Sequence, residues 1–125
     1  MTPVDQAVLH DQELGKVGDC FRACVASLLD LPIADVPHFV AKGENWSVAL
    51  VEWLAARGLE PLCFDTRIAL FGREHEPCIA SGDGPRGAKH SVVWCDGEVA
   101  HDPHPSRGGL AGEPEWFMYL VESEN

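Results

Sequence analysis

Between positions 20 and 29 the apolar side chains Phe21, Cys24, Val25, Leu28 and Leu29 recur at i, i+3, i+4, i+7 and i+8. That is the stripe of a helix that buries one face. The spacing predicts a helix over 20–31, with Asp19 at its N-cap and Pro32 as its stop. The stretch 33–39 carries Pro37, is too short for another long helix, and reads as a single turn in a connection. A second helix is predicted from Asn45 or Ser47, either of which suits its cap. It runs through Trp46, Leu50, Trp53 and Leu54 and is closed by Gly58.

Beyond Gly58 the helical period gives way to short strand-like runs at 60–64, 68–71, 78–80, 91–95, 98–102 and 116–121. The loops between them, chiefly 72–76, 81–89 and 103–115, are rich in Gly, Pro or charge, and loops of this kind tend to carry function. Helices first and strands later predict an α+β fold, with the N-terminal helices packed on one face of a C-terminal antiparallel sheet. A length of 125 residues is that of one domain, so a single domain over 1–125 with one site is expected.

Composition narrows the function classes. A hydrophobic fraction of 46% and a charged fraction of 23% suit a folded soluble protein. No apolar run approaches the roughly 18 residues of a membrane span. The N-terminal residues lack the basic start and apolar stretch of a secretory signal, which predicts a cytoplasmic protein. Five cysteines, an odd number without a repeated CxxC pair, read as free thiols in a reducing compartment rather than as disulfides or a structural zinc module. A net charge of −11 with no Lys or Arg cluster argues against nucleic acid and anionic membranes as partners. The apolar run 116–121 suits a central strand or a pairing edge equally, which leaves the oligomeric state open.

The chemistry begins at Cys20, in the first turn of the first predicted helix. Unsatisfied N–H groups and the positive end of the helix dipole favour a thiolate there, whereas Cys24, one turn on, belongs to the buried stripe. A nucleophilic thiol requires a base, and His90 heads the apolar strand Ser91-Val92-Val93-Trp94. His10, His38 and His75 have no strand to hold them rigidly. Asp102 follows one hairpin later, after Asp96-Gly97. A two-residue turn there would leave Asp102 on the opposite face from His90. A three-residue loop with Gly97 in the left-handed region would put both on one face, and that loop is the expectation. The carboxylate then fixes one imidazole nitrogen and leaves the other to the thiol. The loop 81–87 precedes His90 and should form a rim of the cleft, where Arg86 and Gly87, with Asp19 beside the nucleophile, are the expected substrate contacts.

A cysteine at a helix start, a histidine heading a Val-rich strand and an Asp-Pro pair one hairpin on resemble the papain-like cysteine peptidase superfamily. The branch they resemble contains the double-glycine leader peptidases. The segments Gly18-Asp19-Cys20-Phe21-Arg22-Ala23-Cys24, Asp35-Val36-Pro37-His38-Phe39 and His101-Asp102-Pro103-His104-Pro105-Ser106 are similar to small stand-alone phage and bacterial proteins. The resemblance spans about residues 3–110. It implies a papain-like fold and a Cys20, His90, Asp102 triad, with an upstream Gln as second oxyanion donor beside the Cys20 N–H. Gln6, with apolar neighbours, is favoured over Gln12, which lies between Asp11 and Glu13. The spacing of either Gln to Cys20 exceeds the usual papain interval, and no transporter domain accompanies the chain.

The expected function is therefore a cysteine hydrolase acting on a peptide or small amide through a thioester, without a cofactor. An acyl transferase shares the first step. The alternative from another class is a non-catalytic acidic binding or inhibitor protein that uses the same cleft for a partner. A metal site from Cys20, His101 and His104 ranks below both, because it lacks a second cysteine pair.

Overall fold

The computed structural model describes residues 1–70 and 72–124. Two α-helices, α1 (Cys20–Leu29) and α2 (Trp46–Ala55), precede five strands: β1 (Leu59–Phe64), β2 (Cys78–Asp83), β3 (Lys89–Cys95), β4 (Glu98–His101) and β5 (Trp116–Glu122). The strands form one antiparallel sheet in the order β1-β5-β2-β3-β4. This is the α+β arrangement that segregated helical and strand periodicities predict. Among the described residues no single helix is long and apolar enough to cross a membrane.

Helix α1 stops before Pro32. Asp30 turns into the left-handed region (φ 56°), its N–H meets the carbonyls of Ala26 and Ser27, and the Leu31 N–H closes on Ala26 O at 2.9 Å. Asp30 is held in that unusual conformation from outside, since its carboxylate takes the Thr2 hydroxyl at 2.7 Å and the N-terminal ammonium at 3.4 Å. A short 3-10 turn, Ile33–Asp35, serves as the connection. The run 68–71 is not a strand. A 3-10 turn, Arg67–Leu70, occupies it, and Phe71 lies outside the described residues.

The central strands bury both faces. Ile79, Val93 and Met118 pack with Phe21, Val25, Leu50 and Leu54 of the helices. Their neighbours Cys78, Ala80, Val92, Trp94, Phe117 and Tyr119 pack on the other side under Leu70 and Leu110. This explains why β3 and β5 read as nearly unbroken apolar runs instead of alternating ones. The loop predicted over 81–89 is shorter than expected: β2 and β3 pair through Asp83 and Lys89, leaving a tight turn at 84–88. Gly84 is required there, because a Cβ would stand 2.7 Å from Ala88 O and 2.9 Å from His90 Cβ. The turn thus presses against the residue on which the site depends.

Candidate active site

The N-terminal end of α1 meets the start of β3 at the wall of a cleft of about 620 Å³. Cys20, His90, Ser91 and Gln6 all line it. The segment before α1 is drawn across this end by Asp19. Its fully buried carboxylate accepts the Val8 N–H at 2.8 Å and the Arg22 guanidinium at 3.3 Å, and its own N–H reaches Val8 O at 3.1 Å. Asp19 thus occupies the N-cap position without capping the helix through its side chain. It does not border the cleft, so the expectation that it contacts substrate is replaced by a structural role. The first-turn N–H groups of α1 are left without a side-chain cap, which is what an oxyanion site at Cys20 requires.

His90 and Asp102 are both buried, and His90 Nε2 bonds to Asp102 Oδ1 at 2.7 Å. The route to this pairing differs from the expected three-residue loop. Cys95 pairs with Glu98, so the turn has two residues, Asp96 (φ 55°) and Gly97 (φ 79°), both left-handed as a type I′ turn demands. The register then shifts between Trp94↔Val99 and Val93↔His101, so Ala100 is an extra residue in β4. That bulge moves Asp102 onto the face of His90.

The Asp102 carboxylate also accepts the His104 N–H at 2.9 Å and the Gly109 N–H at 2.6 Å. Burial alone would raise its pKa, but these two amides and His90 outweigh burial and hold the carboxyl below the ordinary aspartate range. Arg107 fixes the loop behind it, donating to Asp102 O at 2.7 Å while pairing with Asp5 at 2.6 Å. With Nε2 spent on Asp102, Nδ1 is the His90 nitrogen left for the cleft.

The thiol is less activated than a helix end alone suggests. Burial pushes the Cys20 pKa above its ordinary value, and the N–H groups of Ser91 and Phe21 and the Ser91 hydroxyl pull against it without reversing it. That hydroxyl is itself held by Ser81 at 2.7 Å. Among the hydrogen bonds of the described residues none joins Cys20 to His90. The resting group is a thiol whose proton must pass to a base as a ligand is engaged, and resting catalytic geometry is commonly longer than the reacting one.

Gln6 lies in the cleft wall, whereas Gln12 is exposed in the turn closed by Asp11 and Lys16. The Gln6 amide donates to Val8 O at 2.8 Å, and its buried Oε1 has no partner. Arg86 lines the cleft and donates to Ser106 Oγ at 3.1 Å, whereas Gly87 is exposed on the turn and outside the lining. His104, read from the sequence only as a possible metal ligand, also lines the cleft, its ring 6.3 Å from that of His90. Its signal was the Asp-Pro-His spacing, which returns the chain beside the carboxylate. His101 turns instead to Val4 O at 3.1 Å and Asp5 at 3.2 Å. No cluster of three His, Cys, Asp or Glu side chains suited to a metal occurs among the described residues. Comparison with protein-family models, with curated proteins and with solved structures finds no match.

Proposed function

We propose that this protein is a cysteine hydrolase of papain-like architecture, with Cys20 as nucleophile, His90 as general base and Asp102 as the group that orients it. The observation that carries the reading is the buried His90 Nε2 to Asp102 Oδ1 bond at the wall of a cleft that also exposes a helix-start cysteine. His90 Nδ1 takes the thiol proton as Cys20 Sγ attacks the carbonyl carbon of an amide. The developing oxyanion faces the uncapped N–H groups of α1, with the Gln6 amide as second donor. His90 returns the proton to the leaving amine, and water, again deprotonated by His90, releases the acid from the thioester. An amine in place of water makes the same site an acyl transferase.

A binding protein is the second reading, and one observation favours it: burial raises the Cys20 pKa instead of lowering it. Alkylation by iodoacetamide at neutral pH, read residue by residue by mass spectrometry, separates the two. The hydrolase reading expects half-buried Cys20 to react faster than exposed Cys63, and His90→Ala to remove the advantage. Equal rates, or an advantage untouched by His90→Ala, leave the binding reading.

A further inference from the structure

We infer that the cleft takes an amide whose acyl part is apolar and whose leaving amine carries a carboxylate, held by Arg86. This deepens the hydrolase reading and rests on it. Sheet order sets the two ends. Ser81 of β2 pairs with Trp116 of β5 on one side and with Ser91 of β3 on the other, and the chain after β4 brings His104 beyond His90. With strands about 4.8 Å apart, Trp116 stands about 10 Å to one side of β3, and His104 lies to the other. The Trp116 end is aromatic: the Phe21 ring lies 6.3 Å from Trp116 and 5.3 Å from Trp46, and all three line the cleft.

The opposite end is cationic in a chain of net charge −11. Arg22, Arg67, Arg73, Lys89 and Arg107 each hold a carboxylate. Among the described residues Arg86, like Lys16, Lys42 and Arg57, holds no carboxylate, but of these four it is the one that lines the cleft. It holds only the Ser106 hydroxyl at 3.1 Å, and its fork has donors to spare for a carboxylate. His104 Nδ1 accepts the Ser106 N–H at 3.0 Å, so the neutral ring carries its proton on Nε2 and adds a second donor to this wall. Burial, and then the charge of Arg86, hold His104 below the ordinary histidine value and keep it neutral. Direction follows from the chemistry. The imidazole that protonates the leaving amine must touch it, so the amine lies on the side of His90 and His104, and the acyl group on the side of Trp116.

The test uses the full chain with Cys20→Ala, which binds an amide without turning it over. Calorimetric titration compares N-acetyl-phenylalanyl-glycine with its C-terminal amide, two ligands that differ only in the terminal charge. The acid should bind about tenfold tighter, the worth of one charge-assisted hydrogen-bonded contact. Adding Arg86→Gln should equalise the two, and Arg86→Lys should retain part of the difference. Equal affinities in the Cys20→Ala protein, tighter binding of the amide, binding of neither, or a preference that survives Arg86→Gln would each overturn the inference. Cys20 alkylation by uncharged iodoacetamide does not involve Arg86, so failure of the carboxylate pocket and failure of the hydrolase reading are read separately.

Discussion

Two groupings of cysteine, histidine and aspartate among the described residues differ in everything except composition. At the cleft, His90 and Asp102 have side chains only 6% and 2% exposed, and the carboxylate is fixed by two backbone amides as well as the ring. At the β3–β4 turn, His75 Nδ1 bonds Asp96, and Cys95 Sγ lies 3.5 Å from the other Asp96 oxygen, so all three residue types are in direct contact. Yet His75 is 90% exposed and Asp96 56%, and none of the three borders the cleft. Contact between these side chains is therefore not what makes a site. In the first grouping the backbone dictates where the carboxylate and ring stand, and both side chains are buried. In the second, three flexible surface groups meet in high dielectric, where an ion pair is worth little.

The sharpest break between the two is kinetic. Cys20→Ala should abolish hydrolysis of a fluorogenic peptide amide, and His90→Ala should lower kcat/KM by about 10²–10⁴-fold, the range for loss of a general base. Cys95→Ala and His75→Ala should leave both kcat and KM unchanged. Comparable losses at the two groupings would show that burial and backbone anchoring are not what distinguishes them.

Legibility from the sequence divides along the same line. Residue types and element order were enough to place Cys20 at a helix start and His90 at a strand start, because 3.6-residue and apolar periodicities are local signals. The same-face pairing of His90 and Asp102 was expected, but from the wrong device. Asp96-Gly97 reads equally as a two- or three-residue turn, and the register is set by the extra residue at Ala100, which leaves no local signature in the sequence. The surroundings of Asp19 and His104 were not legible for a related reason. The Val8 N–H that holds the Asp19 carboxylate comes from eleven residues upstream, and His104 reaches the cleft only because the loop after β4 folds back on Asp102.

Next in size is the effect on stability. Asp102→Ala leaves the N–H groups of Gly109 and His104 and the His90 ring without their acceptor in a buried place, and should cost about 3–5 kcal/mol in urea unfolding. The cost should depend on pH in one direction. The folded-state pKa of Asp102 is depressed, so its contribution is fully present above the unfolded value of about 3.9 and is lost as pH falls through the folded value. The gap between wild type and Asp102→Ala should accordingly close in acid. A gap that is constant down to the lowest accessible pH would mean that the carboxylate is not held ionised by its amides.

Histidine titrations followed by NMR sharpen the comparison at smaller scale. His75 should titrate above the ordinary histidine value, because Asp96 hydrogen-bonds and attracts its charged form, and Asp96→Asn should bring it back down. His104 should titrate below that value, through burial and the charge of Arg86. Two histidines near the two groupings thus move in opposite directions, one drawn up by a partner in water and one pushed down by desolvation. If both titrate together, the electrostatic contrast between turn and cleft fails.

The smallest effect is the most discriminating about what a Cys, His and Asp contact is worth. The raised His75 pKa means that its pairing stabilises the fold below the unfolded histidine value of about 6.5, and that this is lost as pH rises through the folded value. Both partners are exposed to solvent, so screening and side-chain entropy consume most of the attraction. Asp96→Asn, which removes the charge but keeps a side chain that tolerates the left-handed φ of 55°, should therefore leave the urea midpoint unchanged at pH 8 and lower it only slightly at pH 5. The turn itself should survive, because the Asp96 N–H to Glu74 O bond at 2.7 Å does not involve the side chain. A loss rivalling that of Asp102→Ala would place the strength of such groupings in the contacts themselves and remove the distinction drawn between the two regions.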